Sequence, residues 1–152
     1  KWGFINKTGK EVVKPEYDYV YNFSEGLAGV DLDGRVGVIN KTGKEVVKPK
    51  YDYVYNFSEG LAVVKLDYKY GVINKTGKEV VKPKYDLVYE FSEGLARVEL
   101  DGKYGVINKT GKEVVKPEYD YVWSFSEGLA KVMLDGKDGY INNKGKIIYM
   151  EK

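Results

Sequence analysis

Neither cysteine nor histidine occurs among the 152 residues, and proline appears only four times. Without cysteine there are no disulfides and no thiolate metal sites, and the redox compartment is left open. Without histidine the chain lacks the commonest general base and the commonest metal ligand. No apolar run approaches the ~18 residues needed to span a bilayer, and no signal-peptide pattern is visible. A net charge of +2 gives no reason to expect nucleic acid or a membrane surface as a partner. No cofactor, metal ion or membrane insertion is expected. The chain opens in mid-motif at Lys1-Trp2-Gly3, which reads as cut from something longer. Its compartment follows that context: cell-surface or secreted within a larger protein, cytoplasmic otherwise.

What is present is 15 tyrosines, 18 glycines and a repeat. Gly3, Gly37, Gly71, Gly105 and Gly139 stand 34 residues apart, and Pro15, Pro49, Pro83 and Pro117 keep the same interval. A fixed period in this range marks a solenoid, propeller or array built from one supersecondary unit. The units are 2–35, 36–69, 70–103 and 104–137, with a partial unit over 138–152, in a single repeat domain.

One unit reads as a three-stranded antiparallel meander. In LAGVDL (27–32), the counterparts of Ala28, Val30 and Leu32 stay small or apolar. Gly29 becomes Val63, Arg97 and Lys131, and Asp31 becomes Lys65, Glu99 and Met133. That alternation is a half-buried strand with one free-varying face. Asp33-Gly34 predicts a type I′ hairpin turn, which needs positive φ at both central residues. Asp67-Tyr68 breaks the pattern and predicts a strained turn or another type. A second strand runs from Gly37 to Asn40. Asn40-Lys41-Thr42-Gly43 then predicts a type I turn. A third strand, Lys44 to Val47, is expected to end at Pro49. Tyr-rich YDYVYNFSEG (51–60) connects to the next unit, and because Tyr51, Tyr53, Tyr55 and Phe57 alternate with Asp52, Val54 and Asn56, part of it is expected to be extended. A lone meander of this size exposes its apolar face, so stability is expected from stacking of neighbours. In the last copy Ile147-Ile148 stands for Val-Val, and no proline follows, which suits a terminal cap.

Trp2-Gly3 with FINKTGKEVVKPEYD, followed by FSEGLA and a strand ending in Asp-Gly, resembles the WG-type, or KWG, repeat family over essentially the whole chain. The resemblance implies a β-rich bacterial array that acts as an interaction module and carries no catalytic residues. The name-giving tryptophan survives only as Trp2, with Val36, Tyr70, Tyr104 and Asp138 in its place, so that position is expected to pack loosely or lie at a surface.

The all-β fold expected is an open, curved or superhelical array of meanders, with a five-bladed β-propeller of thin blades as the alternative. The candidate binding surface is the tyrosine-rich ladder formed by Tyr19, Tyr21, Tyr53, Tyr55, Tyr89, Tyr121 and Trp123. Against it stands the plainer role of such rings as filler for half-buried gaps between units. Tyr17, Tyr51, Tyr85 and Tyr119, each before an Asp, are expected to seal adjacent units. Lysines such as Lys41, Lys44 and Lys48 recur in every unit, but glutamates interleave with them, so a mixed, solvated edge is expected rather than a basic stripe. Paired carboxylates such as Asp52 and Glu59 recur in every unit and are expected to bond backbone at turns and strand starts, not to catalyse. Asp31-Leu32-Asp33-Gly34 lacks the remainder of a calcium loop. The Asn-Lys-Thr triplets fit a glycosylation acceptor, though the turn alone explains them. The expected role is a non-catalytic binding or scaffold module for a protein partner. Glycan or cell-wall binding through the tyrosines is the alternative, and a passive spacer or consensus-designed repeat the third.

Overall fold

The computed structural model describes residues 1–152, in which eighteen β-strands and no helix occur. It comprises two compact units, Lys1–Pro83 and Lys84–Lys152. At the start, β1 (Trp2–Ile5) and β2 (Glu11–Tyr17) form a two-stranded ribbon. Four sheets of four strands follow, each with its strands side by side in chain order. The first holds β3 (Tyr19–Val20), β4 (Leu27–Leu32), β5 (Arg35–Asn40) and β6 (Glu45–Tyr51). The second holds β7 (Tyr53–Val54), β8 (Leu61–Leu66), β9 (Lys69–Asn74) and β10 (Glu79–Tyr85). In the third are β11 (Leu87–Val88), β12 (Leu95–Leu100), β13 (Lys103–Asn108) and β14 (Glu113–Tyr119). The fourth comprises β15 (Tyr121–Val122), β16 (Leu129–Leu134), β17 (Lys137–Asn142) and β18 (Ile147–Met150).

The tandem all-β architecture is thus the one expected, with a fourth strand added to each meander. That strand comes from the connector, which doubles back along LAGVDL. The Asp18 amide donates to the Asp31 carbonyl at 2.8 Å, and the Tyr21 amide to Gly29 at 2.9 Å. Each sheet therefore takes its first two strands from one sequence repeat and its last two from the next, and residues 138–152 complete the fourth sheet.

Pro49 does not end a strand, as its chemistry led one to expect; β6 runs through it to Tyr51. The residue lies on a sheet edge, where a missing N–H deprives no neighbour. Across this edge Val38 faces Val47 but Val36 faces Tyr51, so β6 carries two extra residues as a bulge. The bulge leans over Gly37. A Cβ there would stand 2.5 Å from the Val47 carbonyl oxygen and 2.7 Å from the Pro49 nitrogen. The recurring Gly and Pro are two halves of one device.

The turns follow their residues. Asp33 and Gly34 have φ of 54° and 76°, as a type I′ turn requires. Asp67-Tyr68 keeps the same conformation, at 49° and 64°, so Tyr68 bears the strain. At the other hairpin the Gly43 amide donates to the Asn40 carbonyl at 3.0 Å. The Asn40 side-chain oxygen accepts from the Thr42 amide, the Thr42 hydroxyl and the Lys44 amide, at 3.0, 2.7 and 3.1 Å. This Asx turn recurs at Asn6, Asn74 and Asn108.

Sheets bury apolar residues on both faces. In Lys1–Pro83, the ribbon's Val13 and Tyr17 pack with Ala28, Val30 and Ile39. The opposite face of the first sheet, with Val36, Val38 and Tyr51, packs with Val54, Ala62, Val64 and Ile73 of the second. In Lys84–Lys152, Val106, Val115 and Tyr119 meet Val122, Ala130, Val132 and Ile141. This two-sided burial explains the unbroken buried run Val36–Ile39 in the middle of β5. Each fully buried Val or Ile contributes roughly 1.5–3 kcal/mol. It also revises the free-varying face of β4 and its kin: Val63, on that face, is only 7% exposed.

Candidate binding surface

The face bearing Gly29 and Asp31 is set by the type I′ hairpins. They fix Asp31 opposite Val36 and Lys65 opposite Tyr70, while the short connector strands place Tyr19 beside Asp31 and Tyr53 beside Lys65. Rings two residues apart on the connector then share this face.

In Lys1–Pro83 the structure brings four of the sequence-predicted residues into one run. Ring centroids lie 5.0 Å apart for Tyr19 and Tyr21, 5.6 Å for Tyr21 and Tyr53, and 4.7 Å for Tyr53 and Tyr55, each pair edge to face. Trp2 extends one end, 6.3 Å from Tyr19, and Tyr70 the other, 6.4 Å from Tyr55. A second run lies in Lys84–Lys152: Tyr89, Tyr104, Tyr121 and Trp123, spaced 6.4, 4.7 and 4.6 Å. Tyr104 is the link that joins Tyr89 to the other two.

Sequence reading thus missed Trp2, Tyr70 and Tyr104, which occupy the variable tryptophan column. Part of the signal was available, since a two-residue turn at Asp-Gly dictates that this column sits across from Asp31 and Glu99. The position tracks its neighbours: Trp2 is 58% exposed, and Val36 is 1% exposed where no ring is used. Leu87 interrupts the connector series at the place of Tyr53.

Cations cover several ring faces. Arg97 lies 4.1 Å from the Tyr89 centroid, Lys131 5.0 Å from Trp123 and Lys65 5.6 Å from Tyr70. These belong to the two columns that vary most between repeats. Arg97 also donates to the Val122 carbonyl at 2.9 Å. A hydrogen bond with Tyr89, together with burial, holds the Tyr104 hydroxyl proton well above its ordinary range. A cleft of about 280 Å³ lies beside Tyr89, lined also by Phe91, Leu95, Arg97 and Phe125. Tyr19, Tyr55 and Trp123 are the most open rings of the candidate set, at 51%, 44% and 37% exposed.

The other recurring polar groups are committed to structure. Asp18 accepts Lys1 at 2.5 Å and the Asp33 amide at 2.8 Å, tying the connector to the hairpin turn. Asp52 does the same with Arg35 and the Asp67 amide, and Asp120 with Lys103 and the Gly136 amide. The Lys103 hydrogen bond is the main cause that holds the Asp120 carboxyl below its usual range. Glu25 reaches one repeat onward, to the Gly60 amide at 3.0 Å, rather than to its own strand; Glu93 likewise takes the Glu127 amide at 3.0 Å.

Tyr17, Tyr51 and Tyr85 are buried seals, as expected, each donating its hydroxyl to Glu45, Glu79 or Glu113 at 3.3, 2.7 and 2.6 Å. Burial first, and then the glutamate, pushes Tyr17 up to about 12 and Tyr51 and Tyr85 higher still. Those glutamates interleave with the recurring lysines, giving the mixed edge its acidic half.

No curated protein matches the chain. Among solved structures it is similar to Hsv2 of Kluyveromyces lactis, at 13% identity and a TM-score of 0.52, covering 94% of this chain and 54% of that one. It is also similar to Hsv2 from Kluyvelomyces marxianus (13% identity, TM-score 0.52, covering 94% and 51%). A structure described as the eukaryotic initiation factor matches at 11% identity and a TM-score of 0.54, covering 99% and 49%. The chain spans about half the length of these structures, and at such identity the likeness is one of propeller-like fold alone. The model of the WG containing repeat matches four times, over residues 2–35, 37–70, 70–104 and 104–137. With its hairpins, its Gly–Pro bulges and its connectors all repeated at that spacing, the chain belongs to the WG containing repeat family.

Proposed function

We propose that the chain is a non-catalytic protein-binding module that engages its partner along the two aromatic runs. The observation that carries this reading is the joint use of rings and cations at variable positions, with Arg97 over Tyr89 and Lys131 over Trp123. Tyr, Trp and Arg are the side chains that most often dominate the energetics of protein interfaces. The bulge, turns and seals hold the runs in place while the residues that differ between repeats decorate them. The carboxylates that repeat with each unit are engaged with backbone amides and lysines, which supports binding over acid–base chemistry.

Glycan binding is the second reading, and the exposed rings of Tyr55 and Trp123 favour it. Against it, stacking on a sugar needs a free ring face, while most rings here contact each other edge to face or lie under a cation. The test uses the full chain as bait in source lysate, beside Tyr55→Ala and Trp123→Ala variants. A partner held by the parent chain and lost from either variant supports the proposal. Recovery that both variants match rejects the aromatic runs. A calorimetric response to a glycan panel, without any retained protein, favours the second reading instead.

A further inference from the structure

The cleft beside Tyr89 combines an apolar floor with two charges of opposite sign. Phe91 and Leu95, 5% and 7% exposed, form the floor with the half-buried Phe125, and Glu90 and Arg97 line the same space. Its volume is about 280 Å³. A cavity of about 150 Å³ already holds a benzene ring, so this one has room for one aromatic or aliphatic side chain and its polar end. The cleft opens where a contact used elsewhere is missing. Between the first two repeats Ser24 Oγ accepts the Phe57 amide at 2.9 Å. Their counterparts Ser92 and Phe125 make no such bond and line the cleft instead.

Both charges are free to receive a ligand. Arg97 gives one N–H to the Val122 carbonyl and lies 4.1 Å from the Tyr89 centroid, with no carboxylate in contact. Its other donors are uncommitted, and a guanidinium held flat on a ring offers a carboxylate two parallel bonds at little entropic cost. Nearby cations are already taken: Lys103 by Asp120 and Lys131 by Asp138. Glu90 is exposed and has neither an ion pair nor a hydrogen bond. Only this repeat joins an acid at the one position to a guanidinium at the other. The counterparts of Glu90 are Asn22, Asn56 and Ser124, and those of Arg97 are Gly29, Val63 and Lys131.

We propose that the cleft binds a free α-amino acid with an apolar side chain. The carboxylate sits on Arg97, the ammonium at Glu90, and the side chain among Phe91, Leu95 and Phe125. A zwitterion matches the two unpaired charges at once, and the apolar floor between them selects its side chain. The site shares Arg97 with the proposed protein-binding surface but needs no protein partner, so it stands or falls separately.

Calorimetric titration of the full chain with L-phenylalanine, up to about 10 mM, tests the proposal. One-to-one binding is expected. Phenylacetate and phenethylamine, each lacking one of the two charges, bind at least about tenfold more weakly. Arg97→Met keeps an apolar stem over Tyr89 and weakens phenylalanine binding at least about tenfold. Glu90→Gln, at an exposed position the fold does not use, weakens phenylalanine and leaves phenylacetate unchanged, a split that damage to the fold could not produce. Lys131→Met changes neither. Absence of binding by both L-phenylalanine and L-leucine overturns the proposal. So does phenylacetate or phenethylamine binding as tightly as phenylalanine, or phenylalanine binding that neither Arg97→Met nor Glu90→Gln weakens.

Discussion

β6 and β18 close their sheets at the same position and are built on opposite plans. β6 bends over its neighbour through a bulge, with Pro49 on its open side and Gly37 beneath it. β18 is shorter, apolar and free of proline. Glu113 gives way there to Ile147, and Val114-Val115 to Ile148-Tyr149, one place later than the Ile-Ile for Val-Val reading of the sequence. Tyr119 consequently has no glutamate at the position where Tyr51 finds Glu79. The interior repeats are locked by both the bulge and the tyrosine seal, and residues 138–152 have neither in that form.

Glycine gives the strongest way to break that contrast. Gly71→Ala forces a Cβ to within 2.5 Å of the Val81 carbonyl oxygen and 2.7 Å of the Pro83 nitrogen, both backbone atoms held by the bulge. A loss of about 3 kcal/mol in urea unfolding is expected. Gly139→Ala meets the Tyr149 carbonyl at 2.6 Å and the flexible end of the Met150 side chain at 2.8 Å, on a strand without the proline and with a single register shift. It should cost only about 1 kcal/mol in the same assay. Equal losses would show that the bulge is not what rigidifies interior repeats.

Next in size is the seal. Tyr51→Phe removes a 2.7 Å bond to Glu79 and is expected to cost about 1.5 kcal/mol by chemical denaturation. Tyr119→Phe, with Ile147 where the glutamate would stand, should be nearly neutral. A smaller gain is expected from Tyr68→Gly, since Tyr68 sits at φ 64° and is 86% exposed, so little is lost with its ring. Restoring the Asp-Gly turn should stabilise by about 1 kcal/mol, seen as a higher melting temperature.

The smallest effect near neutrality is the pH dependence. Burial, with Glu79 and Glu113 adding to it, raises the folded-state pKa of Tyr51 and Tyr85, while unfolded tyrosine ionises near 10.0. Their contribution is complete below that value and is lost as pH climbs toward the folded values. Stability should therefore be level through neutral pH and fall above about pH 10, with tyrosinate absorbance from these residues appearing only as the chain unfolds. Early titration of all 15 tyrosines would contradict their role as seals.

Much of the fold was legible because its determinants are local. Asp-Gly dictates a turn through φ alone, and Asn-Lys-Thr-Gly closes through one side-chain oxygen. The connector's alternation pointed to an extended stretch, but not to its pairing as a fourth strand, because two residues such as Tyr19-Val20 join a sheet only when β4 offers its carbonyls. Pro49 misled for a related reason: it forbids a ladder bond only where a neighbour wants one. In the candidate surface, the connector rings were visible as an alternation within one segment. Their partners Trp2, Tyr70 and Tyr104 lie on another strand, and finding them needed the register that the turn imposes.

The bonds between repeats have a consequence for how such a chain can change length. Tyr51 reaches 28 residues ahead to Glu79, and Glu25 reaches 35 ahead to Gly60, both at offsets set by the common period. A recombination event that adds or removes a whole repeat leaves every interior donor facing an acceptor, because each repeat offers the next the same groups. The loss of one residue from a connector puts every seal that spans it out of phase. Growth by whole units therefore keeps these bonds, while a change of length within a unit breaks them.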